Sequence, residues 1–209
     1  MKHLLTVTLL AVAAAALSAC GGAVMRPVQF AFEDRTTDQQ VTDNQIYLAA
    51  VDRLRRHDKS LLLDVKLDVW ENRVLITGVI DSAEKSEVVA RLVDNDQRIV
   101  KTYNALQVVT PAQVSARRAE SKDGEGRSSV GQSLVDFWNE QKIAARLVAT
   151  KDVASTNYRW RSVNNYVYVI GRATREGEKQ RVLDAISTTA GVERVTEYVW
   201  TRPLNRTNN

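Results

Sequence analysis

Apolar and polar residues alternate strictly in two stretches of the chain. In the first, Val65, Leu67 and Val69 alternate with Asp64, Lys66 and Asp68, and after Glu71-Asn72 the residues Val74, Ile76 and Gly78 share a face. In the second, Tyr158 and Trp160 alternate with Arg159 and Arg161, and Asn164-Asn165 precedes Tyr166–Gly171. A period of two predicts strands. Asn in a two-residue break tolerates the positive φ that a tight hairpin turn demands. Each stretch therefore predicts a β-hairpin. Leu67–Gly78 (LDVWENRVLITG) lies over Trp160–Gly171 (WRSVNNYVYVIG) at an offset of 93 residues, so the chain holds two copies of one unit.

The flanks repeat as well. Ile46, Ala50 and Leu54 recur at helical spacing within Asp43–Leu54, and Ile143 and Leu147 do so within Ser133–Ala149. After each hairpin comes a second helix. One is Ala83–Val93, with Asp81 or Ser82 as cap; the other is Arg175–Thr188, preceded by Thr174. Ile99–Val109 and Val192–Trp200 close the units as third strands. The expected class is α+β: two tandem αββαβ modules, each a small mixed three-stranded sheet packed on two helices. Modules this small are marginal alone, so the two are expected to share contacts.

The first residues follow neither period. Met1–Cys20 has Lys2, an apolar run from Leu4 to Ala16, then Leu17-Ser18-Ala19-Cys20. This order predicts a secretory signal, too short for a comfortable membrane span. Its end resembles the bacterial lipobox, which implies cleavage before Cys20. Diacylglycerol on the Cys20 sulfur and an acyl chain on its amine would follow, with no other cofactor. Multiple chains give stable anchoring. No Asp follows Cys20, which favours the outer membrane, anchored on the periplasmic side. The expected organisation is a signal peptide at 1–19, lipid anchor and tether at 20–40, a first module at 41–110, a polar linker at 111–128, a second module at 129–203 and a tail at 204–209. Within the tether Val28, Phe30 and Phe32 alternate.

The order of elements, "D-x-x-I" at Asp43 and Ile46, "V-x-L-x-G" at Val74–Gly78 and Val167–Gly171, and "G-V-x-x-V" at Gly191–Val195 resemble the BON domain. With the lipobox, the chain resembles dual-BON-domain outer-membrane lipoproteins of Gram-negative bacteria. Gly78, Gly171, Gly191 and Val192 are the structural motif residues of that resemblance. The first copy departs from it, with Arg98-Ile99 where the family has Gly-Val. The resemblance implies a non-enzymatic periplasmic module that binds phospholipid and supports envelope integrity.

Charge localises the expected contact. Residues 43–110 hold ten Lys+Arg against eleven Asp+Glu, and residues 129–203 hold eleven against eight. The second module carries the basic excess, which suits an anionic phospholipid membrane. On the helix Ser133–Ala149, Leu134, Trp138 and Ala145 form a stripe opposite Ile143 and Leu147. Phe137 adjoins it, and Lys142 and Arg146 follow Trp138 by one and two turns. In the family's lipid-binding members this helix is similar to "D-x-W-x-x-x-K-[VI]", here Asp136, Trp138, Lys142 and Ile143. Leu134, Phe137, Trp138, Lys142, Ala145 and Arg146 are thus the expected lipid-binding residues. Packing of Phe137 and Trp138 on the first module or linker is equally open, as is a role as a scaffold for envelope proteins. Arg159 and Arg161 are expected on a solvated strand face, and Trp70 over the linker.

One cysteine and two histidines, in a chain of 209 residues, offer no catalytic triad, thiolate metal site or disulfide framework. His57 ends a charged helix. No phosphate loop is present, and the mixed charges exclude a nucleic-acid partner.

Overall fold

The structure, a computed structural model, describes residues 33–122 and 131–202. The signal peptide, Cys20, most of the tether, the end of the linker with the first two residues of the second module, and the tail with residue 203 lie outside the described residues.

The first module runs α1 (Thr37–His57), α2 (Leu61–Asp64), β1 (Val65–Trp70), β2 (Arg73–Ile80), α3 (Ala83–Asp94) and β3 (Lys101–Val108). After α4 (Pro111–Lys122), the second runs α5 (Gln132–Ala149), a short 3-10 turn (Ser155–Asn157), β4 (Tyr158–Val163), β5 (Tyr166–Ala173), α6 (Glu176–Ser187) and β6 (Arg194–Thr201). In each sheet the first two strands pair antiparallel and the third joins the second in parallel. That is the mixed sheet and αββαβ order read from the pattern.

Two segments differ from their sequence reading. The first helix begins at Thr37, inside the expected tether, because Thr36 and Gln39 cap it reciprocally. The linker begins as helix α4. Thr110 and Gln113 exchange the same capping bonds around Pro111, a residue suited to a first helical position. Polar composition concealed both starts. The cap of α6 also moves by one residue, from Thr174 to Arg175.

The hairpin turns are built alike. Glu71 and Asn72 have φ of 45° and 62°, Asn164 and Asn165 of 51° and 65°, the mirror-image turn that matches strand twist. Gly78 and Gly171 sit at equivalent bends. A Cβ on Gly78 would lie 1.9 Å from the Asp64 carbonyl oxygen, and one on Gly171 2.3 Å from that of Asn157. Only glycine lets the preceding chain cross so close.

Three apolar cores follow from two-faced strands. Ile46, Leu54, Val74, Ile76 and Val89 fill the space between the first sheet and its helices. Ile143, Leu147, Val167, Val169 and Ile186 do so in the second module. The third core joins the backs of the two sheets: Trp70, Leu75 and Val79 meet Val163, Tyr168 and Ile170, with Val114 of α4 at the margin. The layers thus run helices, sheet, sheet, helices, and β1 lies against β5 as β4 lies against β2. Trp70 is fully buried there, in a core that includes Val114 of the linker helix as well as residues of the second sheet.

Arg159 and Arg161 are likewise not on a solvated face. Arg161 grips Asp68 of the first module, Nε to Oδ2 at 2.7 Å and Nη2 to Oδ1 at 2.9 Å. The Arg159 guanidinium lies 5.0 Å from the Trp70 ring centre. A strand face that meets another sheet through ion pairs has the same alternation as one that meets water.

Candidate functional site

Helix α5 presents its faces to different surroundings. Inward, Asp136, Asn139, Ile143 and Leu147 are buried. Outward, Leu134, Phe137 and Trp138 are 45%, 45% and 56% exposed. The Phe137 and Trp138 rings meet edge to face with centres 5.6 Å apart. Ala145 is exposed on the same helix. The aromatic pair therefore keeps about half of its surface open to solvent.

Asp136 sets the helix against the hairpin. Its carboxylate accepts the turn amides of Asn164 and Asn165 at 2.9 and 3.0 Å, the Ser162 hydroxyl at 2.7 Å and two guanidinium bonds from Arg117 at 3.2 Å. Asp43 does the same in the first module, accepting the amides of Glu71 and Asn72 at 2.8 and 2.7 Å and pairing with Arg35. Both aspartates stand in the family-like motifs, but the motifs do not show that they lock the turns. The signal was available: each lies 28 residues before the first residue of its turn.

The two cations of the expected site have protein partners. Lys142 Nζ donates to the Ala190 carbonyl, and Arg146 Nη1 donates to that of Thr188 at 2.6 Å. Arg53, which occupies the position of Arg146 in the first copy, donates to Leu92 and Val93 at 2.7 and 3.1 Å. Arg146 thus performs a structural task common to both modules: it satisfies carbonyls at the end of the second helix. Both side chains remain exposed, and an ammonium has further donors. Gly191 lies in the adjoining loop, where its carbonyl accepts from Asn139 Nδ2 at 3.0 Å, and Val192 packs on the second core.

Behind α5, Glu140 accepts the Ser162 amide at 2.9 Å and lies 3.7 Å from Arg161. Burial pushes its carboxyl above the usual range, against the pull of Arg161. Arg161 is held more firmly charged than a free guanidinium, chiefly by Asp68. Glu140, Arg161 and Asp68 thus form an ion-pair network behind the helix.

The second module, from within α5 to β6, matches a known family. Residues 135–199 are a BON domain. The match starts within α5 and ends in β6, so the BON domain contains Phe137, Trp138 and the Asp136 turn lock. The first module repeats its topology. An uncharacterized protein from the gshII 5′ region of Anaplasma centrale is 27% identical over 135 residues, 65% of this chain and 80% of that protein. Among solved structures, CdsD, a structural protein of the type III secretion system of Chlamydia trachomatis, aligns with a TM-score of 0.29 and 11% identity. That alignment covers 77% of this chain and 94% of the solved chain. Its C-terminal domain aligns at 0.28 and 11% over 74% and 96%.

Among the described residues no helix is long and apolar enough to cross a membrane, and no group of His, Cys, Asp or Glu is placed to hold a metal ion.

Proposed function

We propose that this protein is a non-enzymatic lipoprotein of the outer membrane, anchored through acylated Cys20, whose BON domain docks on anionic phospholipid through Leu134, Phe137 and Trp138. One observation carries the reading. The duplicated fold supplies its own control: at the positions of Leu134, Phe137 and Trp138 the first copy has Val41, Asn44 and Gln45. The fold does not need aromatics there, since the first module folds the same way without them. Aromatic side chains at the interface of water and lipid place an apolar body among acyl chains and a polar tip at the headgroups. The basic excess of the second module adds about 1 kcal/mol per cation near an anionic surface, screened by salt. The BON domain, linked to phospholipid and envelope contexts, supports the same reading.

Co-sedimentation with vesicles of phosphatidylglycerol and phosphatidylcholine tests it. Binding is expected to fall with Trp138→Ala and with rising salt. Binding that ignores both overturns the lipid reading. Aromatic-dependent crosslinks to envelope proteins, without vesicle binding, would transfer this face to a protein partner.

A further inference from the structure

The seam between the two modules is closed by a short piece of chain that belongs to neither hairpin. Asp34 and Arg35 precede α1. Asp34 turns to the second module: its backbone N–H donates to Asn157 Oδ1 at 2.9 Å, its carboxylate accepts from Asn157 Nδ2 at 2.5 Å, and its carbonyl accepts from Arg172 Nη2 at 2.9 Å. Arg35 turns to the first module. Its guanidinium pairs with Asp43, lies 4.0 Å from the centre of the Trp70 ring and reaches the Val69 carbonyl at 3.5 Å. Arg172 completes the ring by pairing with Glu71 of the first module, Nε to Oε1 at 3.1 Å. The receiving groups are deeply buried: Trp70 and Asn157 are fully so, and Asp43, Glu71 and Arg172 are no more than 7% exposed.

We propose that Asp34-Arg35 is a strap, and that the seam lined by Asp43, Trp70, Glu71, Asn157 and Arg172 is the binding site for this segment of the chain itself. Two neighbouring residues of opposite charge each take partners from a different module, so neither module can leave the seam without breaking buried, charge-assisted bonds. The second module has a matching brace from the other side. Arg117 of α4 pairs with Asp136 while Arg118 pairs with Asp64 of the first module, Nε to Oδ1 at 3.0 Å. The strap differs from that brace in its position, at the start of the described fold. The segment that leads into the modules is bonded to both, and its release opens the pair of sheets.

Hydrogen exchange on the full-length chain tests the strap, because its signature is transmission across the seam. Asn157→Ala removes a group of the second module; exchange at residues 69–72 of the first is expected to accelerate roughly tenfold or more. Arg35→Ala, whose named partners lie in the first module, is expected to do the same at residues 155–158 of the second. Val89→Ala, a core change in the first module away from the seam, serves as the comparison. Acceleration confined to the module bearing the change overturns the strap, as does an equal response to Val89→Ala. Should Arg35→Ala fail to fold, Asn157→Ala and Val89→Ala decide between them.

Discussion

Asp68 and Arg161 occupy the same position in the two copies, 93 residues apart, and they are bonded to each other. Two identical folds packed back to back about a twofold axis bring residues near that axis against their own equivalents. In a pair of identical modules this position would set aspartate against aspartate or arginine against arginine. Duplication within one chain allows the equivalents to differ, and here they have become a bidentate ion pair. Asp68 is buried, while Arg161 keeps 29% side-chain exposure. Removing one partner therefore strands a charge at the seam. Asp68→Ala is expected to lower unfolding stability by about 3 kcal/mol, the lower end for a broken buried pair because Arg161 retains Glu140 and some solvent. Urea titration of the variant measures it.

Trp138 and Trp70 should separate binding from stability. Trp138 is 56% exposed and Trp70 fully buried. Trp138→Ala is expected to stay within about 0.5 kcal/mol of the parent and to lose most vesicle binding. Trp70→Ala should cost about 3–5 kcal/mol by opening the core between the sheets. Paired thermal melts and co-sedimentation distinguish the two. Equal stability losses would mean that Trp138 is packed in solution.

Gly78→Ala is expected to be more damaging than its size suggests. The residue has φ of 125°, and the added methyl would lie 1.9 Å from a backbone oxygen, which cannot rotate away as a side-chain end would. Backbone strain and the clash together should cost on the order of 3 kcal/mol. Gly171→Ala should behave alike, since the copies share the bend. Denaturant midpoints of both variants provide the check.

The modules were legible because hairpin alternation, turn asparagines and the bend glycines are local signals, repeated at one offset. The seam was not. Asp68 and Trp70 share a strand face, as do Arg161 and Val163, and a mixed face reads the same whether it meets water or another mixed face. The polar start of α4 hid Val114, which packs into that seam. On α5 the period separated Leu134 and Trp138 from Ile143 and Leu147, so the outward aromatics could be read. The carbonyl partners of Lys142 and Arg146 could not, because Ala190 and Thr188 are brought near only by the return of the chain after α6.

Acid should reveal two carboxylates of opposite behaviour. Asp96 is held at about 2 mainly by hydrogen bonds from Arg98, so it favours the fold above its ordinary 3.8 and loses that contribution as pH falls toward 2. Asp96→Asn should therefore be destabilising at pH 7 and nearly neutral near pH 2. Glu140 is raised above its ordinary 4.5 by burial, so its protonation favours the fold below that value and the benefit disappears as pH rises through the raised value. Glu140→Gln keeps an acceptor for the Ser162 amide and removes the charge that burial disfavours. Relative to the parent, it should gain as pH rises from 4 to 7. Chemical denaturation across this range measures both slopes, and a Glu140→Gln difference that shrinks with rising pH would show that Arg161 outweighs the cost of burying the carboxylate.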